Sequence, residues 1–306
     1  MAIAVNGMTV LNLDAIKGSF APLVVPFNEG EVDYDSYARI CEWQIEKGSH
    51  GLLVNATSGE PTTLTLEERA RLVEVAVGVS AGRRPVLAGT ASQSHAETVT
   101  LIERYQKLAV DAIFVVTPYY CKPPQRALVE FFVDTARRTD KPFLIYHIPA
   151  RAAVALTASA IVEIKERAEN FVGLKNTDDD IGLVTDVLSR IGDDFRIFCG
   201  AEKMSLPMLS VGSCGAMISV SNVIPDKVAQ LCELYSAGDV EGARRLNSEF
   251  SELFAAIDWD TSPIATKYML KRIGVISNNE HRLPMAAPTA ELERRLDAAL
   301  NRAGLI

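Results

Sequence analysis

The chain has 306 residues, 48% hydrophobic and 23% charged, with a formal net charge of −8. That is an ordinary globular composition, long enough for one large domain or two small ones. It excludes a nucleic-acid binder working through a basic face, and no apolar run approaches the ~20 residues that span a bilayer. The five cysteines, Cys41, Cys121, Cys199, Cys214 and Cys232, form no CxxC pair and are odd in number. Thiols in a reducing cytoplasm are the expectation. Met1 to Val10 lacks the basic segment and apolar core of a signal peptide. Residues 1–17 read as an extension ahead of the fold, ordered by packing against a neighbour.

From Phe20 onward, eight short apolar runs recur 21–34 residues apart, close to the length of a βαβ unit. They are Phe20–Pro26, Gly51–Val54, Pro85–Ala88, Ala112–Val116, Phe143–Tyr146, Phe171–Lys175, Phe195–Cys199 and Ala216–Ser219. Between them lie segments of helical period. Asp33–Lys47 sets Tyr37, Ile40, Cys41 and Ile45 on one face, and Thr65–Ala81 opens with Thr65 and Glu68 spaced as a capping box. Val99–Leu108, Gln125–Thr139, Thr157–Ala168, Ile181–Ile191, Met204–Val211 and Pro225–Ser236 follow. Gly48, Gly82 and Gly238 stand where helices stop.

Strands apolar on both faces and alternating with helices predict a parallel sheet; eight such units predict a closed (β/α)₈ TIM barrel over residues 18–237. A doubly wound open sheet is disfavoured because no Gly-rich nucleotide fingerprint follows the first strand. Residues 238–306 are purely helical in pattern, over Val240–Ala256, Pro263–Ile273 and Thr289–Ala303. They read as a C-terminal helical appendage of the same unit.

A barrel carries its chemistry at the C-terminal ends of its strands. There the chain places Asn55-Ala56-Thr57-Ser58-Gly59-Glu60, Thr117-Pro118-Tyr119-Tyr120, Tyr146-His147-Ile148-Pro149-Ala150-Arg151, Lys175, Gly200-Ala201-Glu202 and Ser219-Val220-Ser221-Asn222. A lysine ending a buried strand either snorkels to water or is held as a free amine, because burial disfavours the charged form. An amine attacking a ketone forms a carbinolamine and then an imine; those steps need a proton shuttle, for which Tyr146, Thr57 and Tyr120 are suited. Thr57 and Ser58 offer hydroxyls and backbone N–H groups to a carboxylate, and Arg151 a guanidinium fork to a second one. His50, His95, His147 and His281 have no HExxH spacing and no Cys/His cluster, so no metal is expected. Asp178-Asp179-Asp180 reads as a solvated helix start.

These motifs together resemble the dihydrodipicolinate synthase and N-acetylneuraminate lyase family of Schiff-base-forming barrels, from about Gly18 to the C-terminus. Arg282-Leu283-Pro284-Met285 is similar to the synthase branch. The resemblance implies a homotetramer built from dimers, acting on pyruvate or a related 2-oxo acid. Lys175 is then the imine-forming lysine, and Tyr146 the central proton-transfer phenol. Thr57 links Tyr146 to a Tyr120 from the adjacent subunit. Thr57 and Ser58 hold the pyruvate carboxylate, Arg151 the carboxylate of the incoming aldehyde, and Gly200 and Ile218 complete the substrate-binding set. No metal or organic cofactor is implied. The leading expectation is condensation of pyruvate with L-aspartate 4-semialdehyde. An aldolase or dehydratase of another 2-oxo acid or 2-keto-3-deoxy sugar acid is the alternative, and a non-catalytic 2-oxo acid binder a third. Cys121 and His147 stand where the synthases have Asn, and Asn176-Thr177 differs from the synthases while its threonine is similar to the lyases.

Overall fold

The computed structural model describes residues 13–306. Eight parallel strands close into a barrel: β1 (Gly18–Pro22), β2 (Gly51–Val54), β3 (Val86–Gly89), β4 (Ala112–Val116), β5 (Phe143–His147), β6 (Phe171–Asn176), β7 (Arg196–Cys199) and β8 (Gly215–Ala216). Each pairs with the next, and β8 returns to β1 through Gly18 opposite Gly215. The expected TIM barrel is therefore the observed architecture.

Side chains alternate across the strands. Phe20, Leu53, Leu87, Phe114, Leu144 and Phe198 turn inward and fill the barrel. Leu52, Val54, Ile113, Val115, Ile145 and Ile197 turn outward beneath the helices. Of the N-terminal extension, residues 1–12 lie outside the described residues; Leu13–Ala15 form a 3-10 turn, and Ile16, 2% exposed, joins the inner cluster.

The helices follow the sequence periodicity with local shifts. Thr65 caps Leu66–Ser80 through a complete capping box with Glu68. The helix expected from Val99 begins four residues earlier, at His95, because Ser94 accepts the Glu97 N–H and caps it there. Polar residues in that first turn hide it from an apolar period. The helix expected over Val240–Ala256 is two, Val240–Glu249 and Ser251–Ala256, separated where Phe250 leaves helical geometry (φ −101°, ψ 10°) and buries its ring. Ile264–Arg272 and Ala290–Arg302 complete the C-terminal region, which shares one hydrophobic cluster with the outer face of the barrel. Among the described residues no helix is long and apolar enough to cross a membrane.

Candidate active site

The position of Lys175 depends on a β-bulge. Phe171 packs outward and Val172 inward, so strict alternation would send Lys175 outward, away from the barrel axis. Between β5 and β6 the register instead slips by one residue: Phe143 faces Phe171, but Leu144 faces Gly173. Leu174 then turns outward and Lys175 inward, opposite Tyr146. An inserted residue re-aims every side chain after it. Gly173 is what the slip requires, since a Cβ there would lie 2.0 Å from the Arg196 carbonyl oxygen.

Lys175 is 4% exposed, and its Nζ lies 4.4 Å from the centroid of the Tyr146 ring. Among the described residues it makes no ion pair with a carboxylate. Tyr146, itself 5% exposed, stacks on Phe114 with ring centroids 5.1 Å apart. Its Oη is 3.0 Å from Thr57 Oγ1. Gly200 lets the lysine stem pass: a Cβ there would come within 2.5 Å of Lys175 Cε. Thr57–Gly59 form a 3-10 turn that starts from extended Ala56. The first N–H groups of such a turn lack internal partners, which leaves donors at Thr57 and Ser58. Ser58 Oγ meets Ser219 Oγ at 2.9 Å.

The Tyr146–Thr57 pair forms a wall between two spaces. A cavity of about 400 Å³ holds Lys175, Ser58, Thr177, Gly200, Glu202 and Asp258 on one side. A more apolar cavity of about 240 Å³ runs past Phe114, Val116, Tyr119 and Met285 on the other. Arg151 lines both and donates from Nη2 to Thr261 Oγ1 at 3.3 Å. It rides on the short helix Pro149–Ala152. That helix is anchored by His147, which is fully buried: Nε2 accepts the Leu156 N–H at 3.0 Å, so Nδ1 carries the hydrogen donated to Asn176 Oδ1 at 2.9 Å. Burial pushes the His147 pKa down, with the Asn176 bond opposing.

Lys175, Tyr146, Thr57, Ser58, Arg151 and Gly200 thus all line the Lys175 cavity. Two expected residues do not. Tyr120 is 92% exposed, at φ 71°, and reaches no part of this chain's own cavity. The Ile218 side chain packs in the outer core; its carbonyl accepts the Ser221 hydroxyl, and the neighbour Ser219 lines the cavity instead. The reason is strand parity, which turns position 218 outward after β8. His147 and Asn176, which depart from the synthase pattern, pair with each other in the wall and line neither cavity. Sequence reasoning did not assign Glu202 a role. It is 6% exposed and accepts the Ser219 N–H at 2.6 Å, and burial pushes its pKa up to about 8 against the pull of that bond and of Lys175. Its place just past β7 was legible; its burial was not.

The dihydrodipicolinate synthetase family profile matches residues 15–303. A 4-hydroxy-tetrahydrodipicolinate synthase of Thermus thermophilus is 39% identical over 291 residues, covering 95% of this chain and 97% of that protein. The crystal structure of dihydrodipicolinate synthase from Aquifex aeolicus superposes with a TM-score of 0.92 at 33% identity, covering 94% of this chain and 98% of that one. A monomeric dihydrodipicolinate synthase variant superposes with a TM-score of 0.93 at 30% identity, covering 97% and 99%. With profile, identity and barrel in agreement over nearly its whole length, the chain belongs to the dihydrodipicolinate synthetase family and is a lyase of that type.

Proposed function

We propose that the chain joins Lys175 covalently to pyruvate and condenses the resulting enamine with L-aspartate 4-semialdehyde. The observation that carries this is a buried amine with no carboxylate partner among the described residues, held 4.4 Å over a phenol ring whose hydroxyl is bonded to Thr57. An unpaired buried amine is a nucleophile in waiting. Nζ attacks the keto carbon, and Tyr146 Oη with Thr57 Oγ1 carries the proton that leaves the nitrogen to the new carbinolamine oxygen. Loss of water gives the imine, and loss of a methyl proton the enamine, whose carbon attacks the aldehyde. Ser58 and Thr57 hold the carboxylate of the keto acid, and Arg151, at the meeting of both cavities, that of the aldehyde. No organic cofactor or metal enters this scheme.

Exposure of a large aromatic side chain in left-handed backbone at Tyr120 supports an assembled form. A second copy covers Tyr120 and receives it beside its own Thr57, in a homotetramer of dimers in the cytoplasm. Borohydride added with pyruvate tests the chemistry: peptide mass spectrometry should find one reduced adduct, on Lys175. An adduct elsewhere, or none, ends the reading.

A second reading rests on Thr177, Asp179, Lys203 and Asp258, which also line the lysine cavity. Such a polar lining suits a hydroxylated chain, as in an aldolase or dehydratase of 2-keto-3-deoxy sugar acids. A panel of aldehydes and 2-oxo acids decides: strong preference for aspartate semialdehyde removes this alternative.

A further inference from the structure

Glu202 begins the 3-10 turn after β7 and lines the cavity that holds Lys175. One carboxyl oxygen, Oε1, accepts the Ser219 N–H at 2.6 Å; the other, Oε2, is buried and makes no hydrogen bond of good geometry, with the Val220 N–H the second backbone donor that acts on the carboxyl. A buried carboxyl oxygen left without a good hydrogen bond costs stability, so its retention calls for a use. The Tyr146–Thr57 relay does not touch it. We propose that Glu202 is a second acid–base group of this site, donating from Oε2 to the hydroxyl that leaves when the Lys175 carbinolamine becomes an imine.

The step balances. The carbinolamine C–O bond breaks, the departing hydroxyl takes the Oε2 proton and leaves as water, and the nitrogen lone pair forms C=N. A cationic imine then faces an anionic Glu202. The carboxylate takes a proton from the adjacent methyl carbon, giving the neutral enamine and restoring the acid. The protonation state agrees with this order. Oε1 is occupied as an acceptor, so the proton of the acid form sits on Oε2. Burial pushes the pKa up to about 8, which leaves the group protonated at neutral pH.

Lys175 pulls that pKa down and Asp258 raises it. Asp179, Lys203 and Arg151 line the same cavity, and Cys199 precedes it on β7 with its thiol pushed up to about 12 by burial. Glu252, on the packed helix Ser251–Ala256, is turned away to Arg302 at 2.6 Å.

The inference rests on the imine chemistry proposed above, and timed borohydride quenching with pyruvate from pH 6 to 9.5 separates the two. In the wild type, imine formation should fall about tenfold per pH unit above a midpoint near 8, the sign opposite to that of an amine gaining nucleophilicity. Glu202→Gln keeps an acceptor for Ser219 but has no transferable proton. It should be about 10²-fold slower at pH 7 and lack the alkaline fall. Glu202→Asp should keep a fall with a shifted midpoint, and it decides the matter if circular dichroism shows the Gln variant unfolded. A Gln variant with the wild-type rate and the same alkaline fall overturns the proposal, as does an Asp variant whose midpoint does not move. Wild-type protein that traps no pyruvate at any pH overturns both readings, and so marks the failure of the imine chemistry itself.

Discussion

Lys175 and Lys267 are both buried, and each sets Nζ 4.4 Å from the centroid of an aromatic ring, Tyr146 for one and Phe27 for the other. Lys267, however, also meets Glu60 Oε1 at 2.8 Å, with His281 Nδ1 3.2 Å from the same oxygen. Burial lowers the Lys267 pKa, and the Glu60 charge pulls it back. A ring face attracts a cation but leaves the amine free to react; a carboxylate fixes it as ammonium. The paired lysine ties the helix Ile264–Arg272 to the end of the loop that presents Thr57 and Ser58. The C-terminal region therefore anchors the rim, and the difference between the two lysines is one carboxylate.

Exchanging each lysine for methionine should break the comparison in opposite ways. Lys175→Met should abolish turnover, with a loss on the order of a million-fold, as when a covalent nucleophile is removed. Its urea-unfolding free energy should hold or rise, because no partner is stranded. Lys267→Met should cost about 3–5 kcal/mol of stability by leaving Glu60 buried without its lysine. Adding Glu60→Gln should recover part of that loss, and a double-mutant cycle reads the coupling. A Lys267→Met protein as stable as the wild type would mean that the pair carries no structural load. Thr57→Val sharpens the same contrast on a smaller scale. In the proposed chemistry the neighbour of Lys175 is a relay, so the variant should lose about 10²-fold in kcat for about 1 kcal/mol of stability.

The barrel was legible because eight apolar runs at βαβ spacing allow few other folds, and the rim motifs followed from strand ends alone. Lys175 was found by position, yet its inward aim depends on the slip at Val172–Gly173, which period-2 counting reads the wrong way; the signal present was a glycine inside a strand. The outward side chain of Ile218, by contrast, follows regular alternation from Ala216 and Met217. Tyr120 was legible as a rim phenol, but one chain does not contain the surface that would receive it. The Lys267–Glu60 pair joins residues 207 positions apart, and nothing local to either announces the other. Glu202 was seen as a loop acid, whereas its unpaired oxygen is a property of packing.

The smallest effect lies in the wall beside Arg151, where His147 holds a position as a neutral ring just as Lys267 holds one as a cation. Nε2 of His147 already accepts the Leu156 N–H, so a proton there would face a donor. Burial accordingly depresses the folded-state pKa below the ordinary value of 6.5. Above that value neither state binds the proton, and the fold keeps its full stability. As pH falls below it, the unfolded chain takes up a proton that the fold resists, and stability is lost until the folded pKa is reached. Urea unfolding should therefore show His147 contributing a loss of stability as pH falls below about 6.5. His147→Asn, which cannot charge, should remove that part of the slope at some cost in stability at every pH. An unchanged slope would assign the acid sensitivity to other groups and leave the ring as packing alone.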